Sequence, residues 1–436
     1  LGIFALSVSV LHWLRVSDLG VTQAAIKRIS ESKNQSEIIT ATILIQAVQT
    51  ILVVCGLIVF RGPINAYIGG EFALLIGGIF LVNRMLNGVS REILSGYQVV
   101  HISSGLSAID RILRTLFQVA LVALGFEVLG LFLGMGASLV LVGIAGLLFV
   151  YQTVGFEIVL PSRDTFKSIY DYARYSVLSI VKSESFSWTD IVVMGFFLEN
   201  SVIGIYNVSW SIAMAFLMFG TAMQKNLFPE ISGLSEVGND EKTQGLISES
   251  MTYAGLFPIA GVVGAAILGD SILSIYGAEF TEGQYILVLL IVVAWFRSYG
   301  KQIHALLNGI DRPDLTFNLN LVFTVANICL NVLLVPFYGA IGAAVATILS
   351  LALNIVLGWH TSTQLVSVHF PFIEVGKQIV AAGVMGTVVL AAISVLPPRT
   401  IYPLLLLVGL GAVTYFGTLF ILSKRIRTKI YSVINQ

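Results

Sequence analysis

Eight of the 24 lysines and arginines, with several acids, lie inside or at the edges of long apolar runs of this sequence, and their types and spacing bound the chemistry the chain can do. Arg84 and Arg297 each fall near the middle of such a run. A charge at the centre of a bilayer costs at least ~2.5–3.5 kcal/mol on the insertion scale, so neither arginine is expected to face lipid. A permanently charged, forked donor in a watery pocket is suited to a phosphate or pyrophosphate. The competing reading is that each arginine pairs with carbonyls or an acid inside its own bundle. Arg15 and Asp18 stand three apart and can meet on one helix. They read either as a self-neutralising ion pair or as a cavity cation beside an acid that tunes it or takes up a proton. Lys182 and Asp190, eight apart, fall near one helix face, with Glu184 pointing elsewhere. Asp190 is the candidate for coupling to a cation or proton. Lys301 follows Arg297 by about one turn and either extends a basic stripe or snorkels to the interface. Arg111 and Arg114, near a helix end, are expected to snorkel. His12 and His304 lack metal-like company, so neither a metal nor a cofactor is expected.

The elements that must position these groups are membrane helices. Of 436 residues, 56% are hydrophobic and 11% charged, against about 25% charged in a soluble domain. The mean hydropathy is +0.91. Net charge is zero, which speaks against nucleic acid as a partner. Runs of about 20 apolar residues are long enough to span the hydrocarbon core, and thirteen are present, with no strand alternation of barrel length. Glycine is abundant, at 41 residues, as it is where membrane helices approach closely or bend. Gly20 would permit a bend just after Asp18. Cys55 and Cys329 both sit in apolar runs and read as small core residues, not a disulfide framework. With the loop after the first span in the cytoplasm, the inner loops and tail take Lys27, Arg28, Arg163, Lys167, Lys424, Arg425 and Arg427 among others. The outer ones keep Arg61 and Arg399. The positive-inside rule therefore places the C-terminus inside. All loops are short, leaving no room for a soluble catalytic domain.

The chain also repeats. Gly2–Ser30 pairs with Gly204–Ser232 at an offset of 202, Ile64–Phe72 with Ile272–Phe280 at 208, and Asn83–Gly96 with Phe296–Gly309 at 213. Three weak matches in one order carry more weight than any of them alone. They put Arg84 on Arg297, and Arg15 and Asp18 on Leu217 and Gly220. A shift of an even number of spans implies parallel repeats about an axis along the membrane normal. The expected fold is all-α: two pseudosymmetric six-helix bundles plus a C-terminal pair, with the first helix missing from the start of the chain. The expected domains are an N-terminal lobe at 1–151, a cytoplasmic linker at 152–171, a C-terminal lobe at 172–366, and a helix pair with a basic tail at 367–436.

Three stretches resemble a known group. Gly2–Ala5 with Ser17–Gly20 resembles the second helix of polysaccharide flippases. Asp190 in WTDIVVMGFFLENSVIGIYNVSWSIA resembles their seventh-to-eighth helix junction. Leu306–Ser350, with LNVLLVP, a Tyr-Gly pair and GAAVAT, resembles their tenth to twelfth helices. The chain is thus similar to the O-antigen and polysaccharide flippase branch of the multidrug/oligosaccharidyl-lipid/polysaccharide exporter superfamily, over essentially its whole length. The resemblance implies movement of an oligosaccharide on a polyprenyl- or dolichyl-(pyro)phosphate across the cytoplasmic membrane of a prokaryote, by alternating access and without ATP hydrolysis by the protein. It implies contact with membrane lipid and with glycan-assembly enzymes. The extra C-terminal pair would shape a groove for the lipid tail. On this reading Arg84, Arg297, Arg15, Lys182 and Lys301 hold the anionic head group, while Asp190, Asp18 and Glu184 serve coupling to H+ or Na+.

Two other functions are open. A cation-coupled drug exporter of the same superfamily fits the topology, although an arginine-lined cavity suits cationic drugs poorly. A membrane-embedded glycan polymerase or ligase would be expected to carry a large outer loop, and here the loops are short.

Overall fold

The fold is that of a computed structural model describing residues 1–31, 34–154, 157–237 and 240–428, with the side chains at 16–17, 174–187, 235–237 and 240 outside the description. By its internal contacts the chain divides into two units, Leu1–Ile203 and Gly204–Gln436.

The N-terminal unit opens with α1 (Gly2–Glu31), followed by α2 (Gln35–Val59) and the short α3 (Arg61–Ile68). Next, α4 (Ala73–Val82) runs through a π-helical turn (Asn83–Gly88) into α5 (Val89–Gly96). The unit ends with α6 (Val100–Leu121), α7 (Glu127–Thr153) and α8 (Arg163–Phe197). Two legs of α1, Gly2–Arg15 and Asp18–Glu31, meet at 51°, so the bend expected near Gly20 falls immediately before Asp18. The apolar stretch Val100–Thr153 is 54 residues long. As one helix it would run ~80 Å, far beyond the ~30 Å hydrocarbon core. It is interrupted at Gly125, whose φ of 90° suits a residue without a Cβ, and at Glu127, with φ 46°. The two arms are then tied together by Gln118 donating to the Leu131 carbonyl (2.9 Å) and Ser138 to the Asp110 carboxylate (2.6 Å).

Close approach of α7 to α5 depends on Gly146. A Cβ built there would sit 2.6 Å from the Ser90 hydroxyl and 3.0 Å from its Cβ. Membrane helices lack a hydrophobic force between them and rely on such contacts. Gly146→Leu is expected to push α7 away and cost about 1–3 kcal/mol through overpacking, seen as a lower melting temperature of the detergent-solubilised protein.

The C-terminal unit contains most of α9 (Asn200–Val237), then α10 (Asp240–Ala254), α11 (Leu256–Leu273), α12 (Gln284–Gly309), α13 (Pro313–Leu365), α14 (Phe372–Val395) and α15 (Ile401–Leu422). Within α13 the helix is interrupted at Gly339 (φ 58°), three residues after Pro336. Asn354 donates to the Leu319 carbonyl (2.7 Å) and Asn327 to Thr347 (2.9 Å), so the two legs lie side by side. The C-terminal pair is fastened to the same unit. Gln378 donates to the Thr252 carbonyl (2.8 Å) and Tyr415 to that of Leu256 (2.7 Å).

By its contacts α8 groups with the N-terminal unit. α8 packs along α1 in the N-terminal unit, and the segment before it is held on the first turns of α2. The amides of Glu157, Val159 and Ser162 reach Ser36, Thr40 and Glu37 (3.3, 3.3 and 2.8 Å), and Thr165 donates to Glu37 (2.7 Å). Hydrogen bonds of this kind, between short polar side chains and a loop backbone, leave no trace in hydropathy.

Burial is inverted relative to a soluble protein. Ser7, Gln46, Ser138, Asn331, Gln302 and Gln378 are fully enclosed, whereas Ile51, Leu52, Val59 and Leu124 are 61–74% exposed. In hydrocarbon an exposed apolar side chain costs nothing, while polar groups must find partners inside. Cys55 and Cys329 follow the same logic: both are exposed, not core. Among the described residues, nine helical stretches are long and apolar enough to cross a membrane, and the bent α1 makes a tenth. The protein is a multi-pass, all-helical membrane protein.

Candidate functional site

The π-helical turn in the middle of the α4–α5 span is the local cause of the site. A π-turn inserts a residue into the helical ladder, and such turns gather at functional positions. Here it coincides with inward placement of both Arg84 (7% exposed) and Asn87 (2%). Asn87 donates to the Leu139 carbonyl of α7 at 2.7 Å, fixing the turn. Arg84 Nη1 donates to Glu92 Oε1 at 2.8 Å and to the Thr22 hydroxyl at 3.1 Å. Its Nε lies 3.6 Å from Asp18 Oδ2. Glu92 also accepts from Thr22 (2.7 Å) and from Gln46 Nε2 (2.6 Å). One buried carboxylate thus gathers donors from α1, α2 and the π-turn.

Two of the groups singled out in the sequence, Arg84 and Asp18, therefore do meet, but in an ion network inside one bundle. Arg84 pairs within its own bundle and also lines the cleft beside the network. Glu92 is the member that sequence reading misses. Its signal is an acid eight residues after an arginine, a spacing that puts the two near one helix face, but in the more polar end of the span.

Beside the network lies a cleft in two connected parts, cavities of about 160 and 200 Å³ that share Arg15, Phe80, Asn83 and Arg91 in their walls. Asp18, Arg84 and Glu92 line the first. Asp110 and Arg114 line the second. Asp110 (4% exposed) receives Arg114 Nη2 at 2.6 Å and Ser138 at 2.6 Å, with Arg91 Nη2 at 3.7 Å. Arg114, expected to snorkel, instead turns inward to a buried acid. Its neighbour Arg111 is exposed as expected. His12 lines the same part of the cleft, and its ring stacks on Trp188 with centroids 4.4 Å apart. Asp190 is buried (4% exposed) on α8 in this unit. Lys182 and Glu184 lie outside the described side chains.

The C-terminal unit presents a different arrangement. Arg297 and Lys301 stand one turn apart on a regular stretch of α12, both half-buried. Lys301 Nζ donates to Gln224 on α9 at 3.2 Å and lies within electrostatic range of Arg297 and Lys225. Gln302, fully buried, donates to the Gly220 carbonyl (2.9 Å) and accepts from Ser250 (2.6 Å). At the offset of 202, Gln224 answers to Thr22 and Gly220 to Asp18. The same helix pair is thus bridged by amides where the N-terminal unit uses charges. Gly220 has no room for a side chain: a Cβ there would lie 2.6 Å from the Ser298 hydroxyl.

Comparison with known proteins extends this description. Residues 1–235 match the family profile described as polysaccharide biosynthesis protein. The chain belongs to that family. Along its whole length this family member is 33% identical to a Haloferax volcanii protein named "Probable flippase AglR", covering 91% of it. It is 28% identical over 98% of its length to another protein of that organism, named "Probable low-salt glycan biosynthesis flippase Agl15", covering 90% of it. Among solved structures its fold is similar to a lipid II flippase, MurJ, in an inward closed conformation, with a TM-score of 0.76 at 16% identity over 96% of this chain and 91% of that one. An inward-facing multidrug resistance transporter of the MATE family matches with a TM-score of 0.66 at 17% identity, over 84% and 88%.

Proposed function

We propose that this protein is a flippase that moves a lipid-linked oligosaccharide across the membrane for glycan biosynthesis, by alternating access. The observation that carries the reading is the full-length likeness, at 33% identity, to a chain named as a flippase. The cleft gives it a chemical basis. Arg15 and Arg91 line both parts of an intramembrane pocket, and guanidinium forks suit a phosphate or pyrophosphate head group. Arg297 and Lys301 supply a second cationic patch in the other unit. A cavity of this sign favours an anionic lipid-linked sugar over the cationic compounds that drug exporters move. The carrier lipid is proposed to be a polyprenyl or dolichyl (pyro)phosphate. The membrane is proposed to be the cytoplasmic one, with the basic C-terminal tail inside, a placement supported by the distribution of lysine and arginine in the loops.

Transport is tested in proteoliposomes holding a dolichyl-phosphate oligosaccharide with a radiolabelled terminal sugar. Glycan made resistant to an external glycosidase, in protein-containing vesicles only, is the expected result. Expression in a Haloferax volcanii strain lacking AglR supplies the cellular arm. Absence of both flipping and complementation, together with acquired drug resistance in a pump-deficient host, would overturn the reading in favour of a drug exporter.

A further inference from the structure

We propose that Asp18 and Arg84 form a proton-operated ion pair, in which a proton bound to the Asp18 carboxyl opens the pair and its release closes it. This rests on the flippase reading and names the coupling ion and its seat.

The two acids that flank Arg84 are treated differently by their surroundings. Glu92 accepts three hydrogen bonds, from Arg84, Thr22 and Gln46, all between 2.6 and 2.8 Å. Its acceptor positions are well served. Asp18 is 1% exposed, yet both of its oxygens are without a hydrogen-bond partner. A bare carboxylate in that setting costs far more than a protonated one.

Opposite it, Arg84 Nε and Nη2 are also without hydrogen-bond partners. The unused Nε thus lies 3.6 Å from the unused Oδ2, where a charge-assisted N–H···O bond closes to about 2.7–2.9 Å. About an ångström of movement separates the open arrangement from a pair bonded through these two atoms. The cavity of about 160 Å³ beside Asp18 is large enough for water to bring the proton. The step balances simply: a hydronium in the cavity gives its proton to Asp18 Oδ and leaves as water, Arg84 remains charged, and its hydrogen bonds then go to Glu92 and Thr22 alone.

Asp18 lies at the 51° junction of the two legs of α1, so a change in its bonding acts where that helix already bends. The gain is located in one unit only, because Gly220 stands at the corresponding place in the other.

The neighbouring elements surround the pair with few other charges. Arg15 lies on α1 itself, and Arg91 with Glu92 on α5. Gln46 faces it from α2, and α3 carries Tyr67, which donates to the Val192 carbonyl at 2.8 Å. The described stretch of α8 adds the buried Asp190. α4 carries no ionisable residue, and α7 has them only towards its ends, at Glu127 and Tyr151. A metal cation is a poor alternative occupant, since the Arg84 guanidinium already stands at the same oxygens.

Infrared difference spectroscopy of the full chain in nanodiscs, perfused between acid and alkaline buffer, reads the carboxyl proton directly and needs no glycan. The wild type is expected to show a protonated-carboxyl C=O band that grows on acidification. Asp18→Asn abolishes the band. Asp18→Glu, which keeps charge and fold, moves it in frequency. Glu92→Gln retains the band, because the proton sits on Asp18. A band unaffected by any Asp18 variant, no band at all, or a band governed by Na+ and not by pH would overturn the proposal. Those outcomes leave glycan flipping untouched, so they are separable from failure of the flippase reading.

Discussion

Arg84→Ala is expected to destabilise the protein by about 3–5 kcal/mol, the cost of breaking a buried ion pair from one side. The substitution leaves Asp18 and Glu92 facing each other at 1% and 3% exposure with no cation between them. It also strips Glu92 of one donor and Thr22 of another. Loss of a monodisperse peak in detergent chromatography and a lowered melting temperature measure the effect. The triple variant Asp18→Asn, Glu92→Gln, Arg84→Met is expected to recover most of the stability, since neutral groups of similar shape at a buried ionic site are often as stable as the ions. Equal stability of Arg84→Ala and wild type would show that the network carries no weight in the fold. Asp18→Asn alone should be tolerated, because an amide mimics the protonated acid and Arg84 keeps Glu92.

The network also marks how far sequence reaches. Positions of the spans follow from apolar length alone, and the turns at Gly125 and Gly339 fall where a single helix would outrun the bilayer. Arg84 and Asp18 are visible as charges in apolar runs, because the membrane makes such residues expensive and hence purposeful. Their meeting is not visible. The two lie on helices far apart in the chain, and Arg84 reaches inward through an irregular turn that hydropathy does not register. Glu92, Arg91 and Asp110 escape notice because they sit in the more polar ends of their spans, where a charge reads as interfacial. Cys55 and Cys329 show the reverse error. Apolar surroundings in sequence signal the core of a soluble protein, but here they signal lipid. The seat of the segment before α8 is hidden for a third reason: polar side chains on α2 capture it, a matter of individual hydrogen bonds.

Neutralising the second cationic patch should have the opposite signature to that of Arg84. The double variant Arg297→Gln, Lys301→Gln is expected to reduce glycan flipping by roughly 10–100-fold for each hydrogen bond removed from the head group, given about 1.5–3 kcal/mol for a hydrogen bond to a charged group. The Lys301→Gln change by itself should leave stability unchanged or raise it. The described partner of Lys301 is the neutral side chain of Gln224, so its removal strands no buried acid. The bilayer meanwhile imposes at least ~2.5–3.5 kcal/mol on an intramembrane cation that does nothing. Gln302, one residue on, keeps α12 tied to α9 and α10 through Gly220 and Ser250, so the helix stays in place without the lysine. Initial flipping rates in proteoliposomes, set beside melting curves of the same preparation, separate the two effects. A variant that melts like the wild type and still flips at the wild-type rate would remove Arg297 and Lys301 from the substrate path.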